Sequence, residues 1–128
     1  MDPQTVSAPV KPVVVIVDDD LAIRSSLAFS LQTEGFSVRC YASGPELLAD
    51  CPVAQADCLV IDYQLPGMNG LDLLAALRSR EVAAPAILIT THPTSAVRAR
   101  AAAAGMVLIE KPLLGDALFH EIEMALRE

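Results

Sequence analysis

The sequence predicts an α/β sandwich, a parallel sheet with helices on both faces, and three observations point there. Short uninterrupted apolar runs recur along the 128-residue chain: VVVIV at Val13–Val17, CLVI at Cys58–Ile61 and AILI at Ala86–Ile89. Runs of this length, rich in Val, Ile and Leu, suit strands covered on both sides. Between them lie segments whose apolar residues repeat at helical spacing and whose ends carry capping residues. Strand and helix alternate from end to end, which implies parallel strands joined by right-handed crossovers.

Taken in order, Val13–Val17 is the first strand. Leu21, Leu27, Ala28 and Leu31 form the stripe of the first helix, which Gly35 ends as a C-terminal cap. Phe36 to Tyr41 alternates, with Phe36, Val38 and Cys40 on one side, and reads as an edge strand. Ser43 with Glu46 is a capping box that opens a short helix over Leu47 and Leu48. After the third strand and the turn PGMNG, Leu71, Leu74, Ala75 and Leu77 make the next helix. Ser95–Ala104 is an Ala-rich helix closed by Gly105, Met106–Ile109 a fifth strand, and Ala117–Arg127 the last helix. Ala101–Ala104 is either a close-packing face or a simple helix former.

Composition narrows the function. Hydrophobic residues make up 53% and charged ones 20%, which suits one packed domain and leaves no room for a second folded unit. Nine basic against sixteen acidic residues give a net charge of −7, the wrong sign for direct binding of nucleic acid. No apolar run is long enough to span a membrane. Residues 1–12 are Pro-rich and polar without a signal-peptide pattern, and read as a flexible N-terminal leader to a domain at 13–128. The expected location is therefore cytoplasmic. Cys40, Cys51 and Cys58 fit neither a disulfide framework nor a zinc site.

In open α/β sheets, ligands sit beyond the carboxyl ends of the strands, where the strand order reverses. Asp18 and Asp19 end the first strand, Asp62 the third, Thr90 the fourth and Lys111 the fifth. Singly, each has a plainer role, as a cap, a turn opener or a solvated charge. Together they put several carboxylates, a hydroxyl and an ammonium on one edge. Three carboxylates repel strongly where screening is poor. Magnesium, a hard cation that keeps several waters and takes one or two carboxylates, resolves that repulsion. A carboxylate beside such a metal can act as nucleophile toward a phosphoryl group, with a lysine and a hydroxyl stabilising the transferring oxygens.

The stretches VIVDDD, LVIDYQLPGMNGLDLL, ILITTH and LIEKP resemble the signature motifs of the receiver domain of two-component response regulators, particularly the nitrogen-fixation regulator type. The resemblance runs from Val13 almost to the end. It implies a flavodoxin-like, doubly wound sheet of five parallel strands in the order 2-1-3-4-5 and a phosphoacceptor at Asp62. Magnesium would be bound by Asp19, Asp62 and the backbone carbonyl of Gln64, with Asp18 acting through water. Thr90 would be the switch hydroxyl and Lys111 the family's lysine, before a frequently cis bond to Pro112. Asp20 is left to cap the first helix. The implied partners are a histidine kinase or histidine phosphotransfer protein, then a downstream protein target or output domain, with homodimerisation a further option. The implied chemistry is limited to the domain's own phosphorylation and dephosphorylation, so no enzyme is expected.

Two departures fall on the output side. The family usually has Tyr or Phe three residues before the lysine, where this chain has Leu108, and Gly105–Lys111 is one residue shorter than is common. Gln64 and His92 occupy positions that tune phosphate lifetime in the family, although His92 alone reads as a solvated loop residue. A dehalogenase-type aspartyl-phosphate hydrolase needs an Asp where Gln64 stands, and a flavin-binding first loop would not carry Asp18–Asp20. A degenerate receiver serving only as a dimerisation or interaction module is the remaining alternative.

Overall fold

The computed structural model describes residues 11–50, 55–113 and 116–127; most of the expected leader, together with Cys51, lies outside them. Five strands and five helices alternate: β1 Val13–Val17, α1 Leu21–Thr33, β2 Ser37–Tyr41, α2 Gly44–Leu48, β3 Cys58–Asp62, α3 Gly70–Ser79, β4 Ala86–Thr90, α4 Ser95–Ala103, β5 Val107–Glu110 and α5 Ala117–Leu126. All strand pairs are parallel, in the order β2-β1-β3-β4-β5, as the family resemblance implies. No helix among the described residues is long and apolar enough to cross a membrane.

The apolar runs are uninterrupted because each strand feeds two cores. Val14, Ile16, Val60, Ile87 and Ile89 pack with Leu31 of α1 and Leu118 and Ile122 of α5. Their neighbours Val15, Val17, Leu59, Ile61 and Leu88 pack on the opposite face with Leu47 of α2, Leu71, Leu74 and Leu77 of α3 and Val97 of α4. Alternate side chains point to opposite faces of a strand. A strand between two helical layers must therefore be apolar at every position.

The helix ends follow local chemistry. Asp20 caps α1, its Oδ1 accepting the N–H groups of Ala22 (2.9 Å) and Ile23 (3.3 Å). Ser43 caps α2 by accepting from Glu46 N at 3.2 Å, while Glu46 Oε1 accepts from Ala42 N at 2.9 Å. Asn69 and Thr94 cap α3 and α4 in the same way. Gly35 and Gly105 follow α1 and α4 with φ of +98° and +75°, the left-handed cap that glycine adopts without steric cost.

Several boundaries differ from expectation by one residue. β3 and β4 each extend to their polar ends, Asp62 and Thr90, while β2 begins after Phe36 and β5 after Met106. Helices α4 and α5 stop one residue early. Cys40, expected on the same side of β2 as Phe36 and Val38, is exposed, and Val107 is 43% exposed. Both lie on the two edge strands, where one flank has no neighbour and the helical cover runs out.

Gly70, the first residue of α3, fixes how closely that helix approaches β3. A Cβ there would lie 2.5 Å from the carbonyl oxygen of Asp62 and 2.9 Å from side-chain carbons of Ile61 and Leu88. The Gly70 N–H donates to Tyr63 O at 2.8 Å. Gly70→Ala is therefore expected to destabilise the domain by about 1–3 kcal/mol, read as a lower urea midpoint with unchanged slope.

Candidate functional site

The register brings the polar strand ends level. Val17 pairs with Ile61, Asp62 with Ile89, and Thr90 with Glu110. The residues that terminate β1, β3 and β4, and Lys111 just beyond β5, consequently share the carboxyl edge of the sheet. The order reverses between β1 and β3, so Asp18 and Asp62 flank the switch point.

Asp18 is buried at 2% exposure and Asp62 at 4%, whereas Asp19 is exposed. One carboxylate oxygen from each of the three lies within 4.8 Å of the others. Lys111 Nζ donates to Asp62 Oδ2 at 3.1 Å and stands 3.4 Å from Asp18 Oδ2. Asp62 Oδ1 accepts the Gln64 N–H at 3.2 Å. Asp18 Oδ1 accepts the Asp20 N–H at 2.9 Å, while Asp18 Oδ2 is buried without a hydrogen bond. The longer ionic contact with Lys111 satisfies that buried oxygen less fully than a hydrogen bond would.

The remaining expected residues are close but differently engaged. Thr90 is buried, and its hydroxyl donates to Thr91 O at 3.2 Å rather than to Asp62. Lys111 is tied to β4 by its N–H, which donates to Thr90 O at 2.8 Å, and its bond to Pro112 is cis. Leu108 is half-buried, paired with Leu88 and packed against the α2–α4 core. Gln64 meets Asp62 through its N–H and is exposed. His92 is exposed in the β4–α4 loop at a φ of +48°, in keeping with a solvated histidine.

The donor set fits magnesium. Three carboxylates face one ammonium, which pairs with Asp62 and Asp18, so the cluster has an unmatched negative charge. All available donors are hard oxygens, and one member is open to solvent, as suits a cation that retains water.

Two residues of this neighbourhood were not singled out from the sequence. Gly70 abuts the Asp62 backbone, and its signal was its place in PGMNG at a helix start. Arg24, one turn into α1, donates from Nη1 to the main-chain carbonyl of Asp18 at 2.6 Å. Only its spacing after the aspartates hinted at that.

Comparison with known proteins agrees with this geometry. Residues 14–123 match the response regulator receiver domain. The chain is 38% identical over 111 residues to the transcriptional regulatory protein FixJ of Rhizobium meliloti, covering 86% of this chain and 54% of that one. It is 35% identical over 114 residues to the C4-dicarboxylate transport transcriptional regulatory protein DctR of Rhodobacter capsulatus, covering 87% and 56%. It thus spans about half the length of these curated relatives. A solved CheY-like response regulator receiver domain protein from Methanospirillum hungatei superposes with a TM-score of 0.84 at 27% identity, covering 92% of this chain and 95% of that one.

Burial, and then the charge of Asp18, raise the pKa of Asp62 above the ordinary carboxylate value, outweighing the Lys111 and Gln64 hydrogen bonds. For Lys111, burial opposes the charge, but its contacts with Asp62 and Asp18 prevail and its pKa is also raised. The two groups rise for different reasons: burial and the charge of Asp18 act on Asp62, while two neighbouring carboxylates act on Lys111. Because folded Asp62 holds its proton more tightly than unfolded Asp62, it weakens the metal-free fold as pH climbs through the raised value. Asp62→Asn should therefore raise the metal-free Tm at pH 7 by a few degrees, the effect of roughly 1 kcal/mol in a domain of this size. The gain should fade as the pH falls into the acid range, which thermal melts of both proteins across pH will measure.

Proposed function

The chain belongs to the response regulator receiver domain family, and from that premise we propose that Asp62 accepts a phosphoryl group in a two-component phosphorelay. Receiver domains are signalling domains, not classical enzymes; the chemistry proposed for this one is confined to its own phosphorylation and dephosphorylation. The observation that carries the reading is the meeting of buried Asp62 with Lys111 at 3.1 Å beside buried Asp18, which stands 3.4 Å from the same ammonium.

The donor is a histidine kinase or histidine phosphotransfer protein. A carboxylate oxygen of Asp62 attacks the phosphorus of its phosphohistidine, forming the O–P bond as the P–N bond breaks, and the electron pair of that bond stays with the departing imidazole. Magnesium, when bound, supplies charge neutralisation for the phosphoryl oxygens. Asp19 and Asp62 would hold it directly, with the Gln64 carbonyl as a further ligand and Asp18 acting through water. Lys111 places its ammonium against the transferring oxygens. Beside this edge lies an apolar groove of about 620 Å³ bordered by Ile23, Leu27, His92, Lys111 and Leu113. Because it meets the acceptor site at Lys111, it suits docking of the protein donor.

Phosphorylation adds charge and acceptor oxygens next to Thr90. The Thr90 hydroxyl, held only by the neighbouring Thr91 carbonyl, then turns toward the phosphoryl oxygens. Leu108, on the adjoining strand, repacks in its wake. The result is a population shift on the surface around α4 and β5, read by an output domain, a downstream protein or a second copy of the chain. The proposed setting is the cytoplasm.

Incubation with acetyl phosphate and magnesium should add one phosphoryl group to the intact mass. Asp62→Asn should remain unmodified, and omission of the metal should abolish the gain. Lys111→Met should slow it about tenfold or more. A wild-type protein that gains nothing from acetyl phosphate or from a phosphorylated kinase would leave a receiver-shaped interaction module.

A further inference from the structure

Resting on that reading of the acidic pocket, we propose that Arg24 is a positioning residue that aims Asp18 and Asp19 at the metal. The loop from β1 to α1 is closed by a set of bonds that converge on Asp18. Its N–H donates to Tyr41 O at 3.1 Å, its carbonyl accepts from Arg24 Nη1 at 2.6 Å, and its Oδ1 accepts from Asp20 N at 2.9 Å. Its other carboxylate oxygen, Oδ2, has no hydrogen bond among the described residues and faces the Lys111 ammonium at 3.4 Å.

The carbonyl that Arg24 grips belongs to the peptide joining Asp18 to Asp19. The plane of that peptide decides where Asp19 points. Among the described residues no hydrogen bond holds the Asp19 carboxylate, and it is exposed, so its backbone is what orients it. The main chain of Arg24 is fixed in the first turn of α1, where its N–H donates to Asp20 O at 3.0 Å. A charge-assisted bond from a guanidinium to a carbonyl is strong and directional. Groups behind the first ligands commonly set metal affinity in this way.

The proposal has a sign that separates it from simple electrostatics. A guanidinium near a cation site repels the cation, so its removal should tighten magnesium binding if charge alone mattered. If orientation matters, removal should weaken binding despite the lost repulsion. Magnesium is titrated by calorimetry into wild type, Arg24→Leu and Arg24→Lys, with circular dichroism and metal-free melts on each. The expected result is a Kd raised about tenfold in Arg24→Leu and restored to within about threefold by Arg24→Lys. In acetyl phosphate reactions the half-saturating magnesium concentration should rise in step, while the rate at saturating metal stays near wild type. Arg24→Gln replaces Arg24→Leu, under the same criteria, if the latter does not fold.

A lowered Tm with unchanged or tighter magnesium binding would overturn the proposal and leave Arg24 a structural residue. Failure of the underlying reading looks different: the wild type itself would bind no magnesium, or Asp62→Asn would bind it as tightly as wild type.

Discussion

The structure is organised around a charge that the chain alone leaves unmatched. Asp18, Asp19 and Asp62 meet at the carboxyl edge of the sheet, and Lys111 alone among the site residues brings a cation against two of them. Burial makes this expensive, because the repulsion between Asp18 and Asp62 is poorly screened. Everything nearby holds the arrangement together. Parallel register aligns the strand ends, Gly70 lets α3 come within contact of the Asp62 backbone, and the β1–α1 loop is bonded shut around Asp18. Stability lost at the edge is recovered in the two cores that flank the same strands. Functional sites commonly carry such a cost.

Much of this was legible in the sequence because it depends on contrasts between adjacent residues. An apolar run covered on both faces looks unlike anything else, and a charged residue at its end marks the edge of the sheet. That contrast located Asp18, Asp62, Thr90 and Lys111. The edge strands were less well bounded. Their outer flank imposes no constraint, so Cys40 and Val107 carry apolar side chains without being buried. The strand order came only with the resemblance, since pairing between distant segments leaves no local trace.

Arg24 and Gly70 were illegible for a different reason. Each acts on main-chain atoms: Arg24 on the Asp18 carbonyl, Gly70 on the space beside the Asp62 carbonyl. Backbone acceptors are the same at every position, and nothing in residue types reveals which one a side chain will reach. The sharing of one ammonium between Asp18 and Asp62 is likewise visible only in three dimensions. Leu108 was visible as a departure from the family, and its half-buried place against the α2–α4 core locates it on the face that α4 covers.

The division of each strand between two cores also limits how the gene can change length. Inserting or deleting one codon within β3 would exchange the faces of the residues on one side of the change and move Asp62 out of line with Asp18. The same holds for β1 and β4. Even the connection from α3 to β4, away from the carboxylates, is constrained, since Arg78 Nη1 bonds the carbonyls of Val82 and Ala84 and Val82 is buried. The spacing within each strand is thus fixed as a unit by the two faces that it must serve.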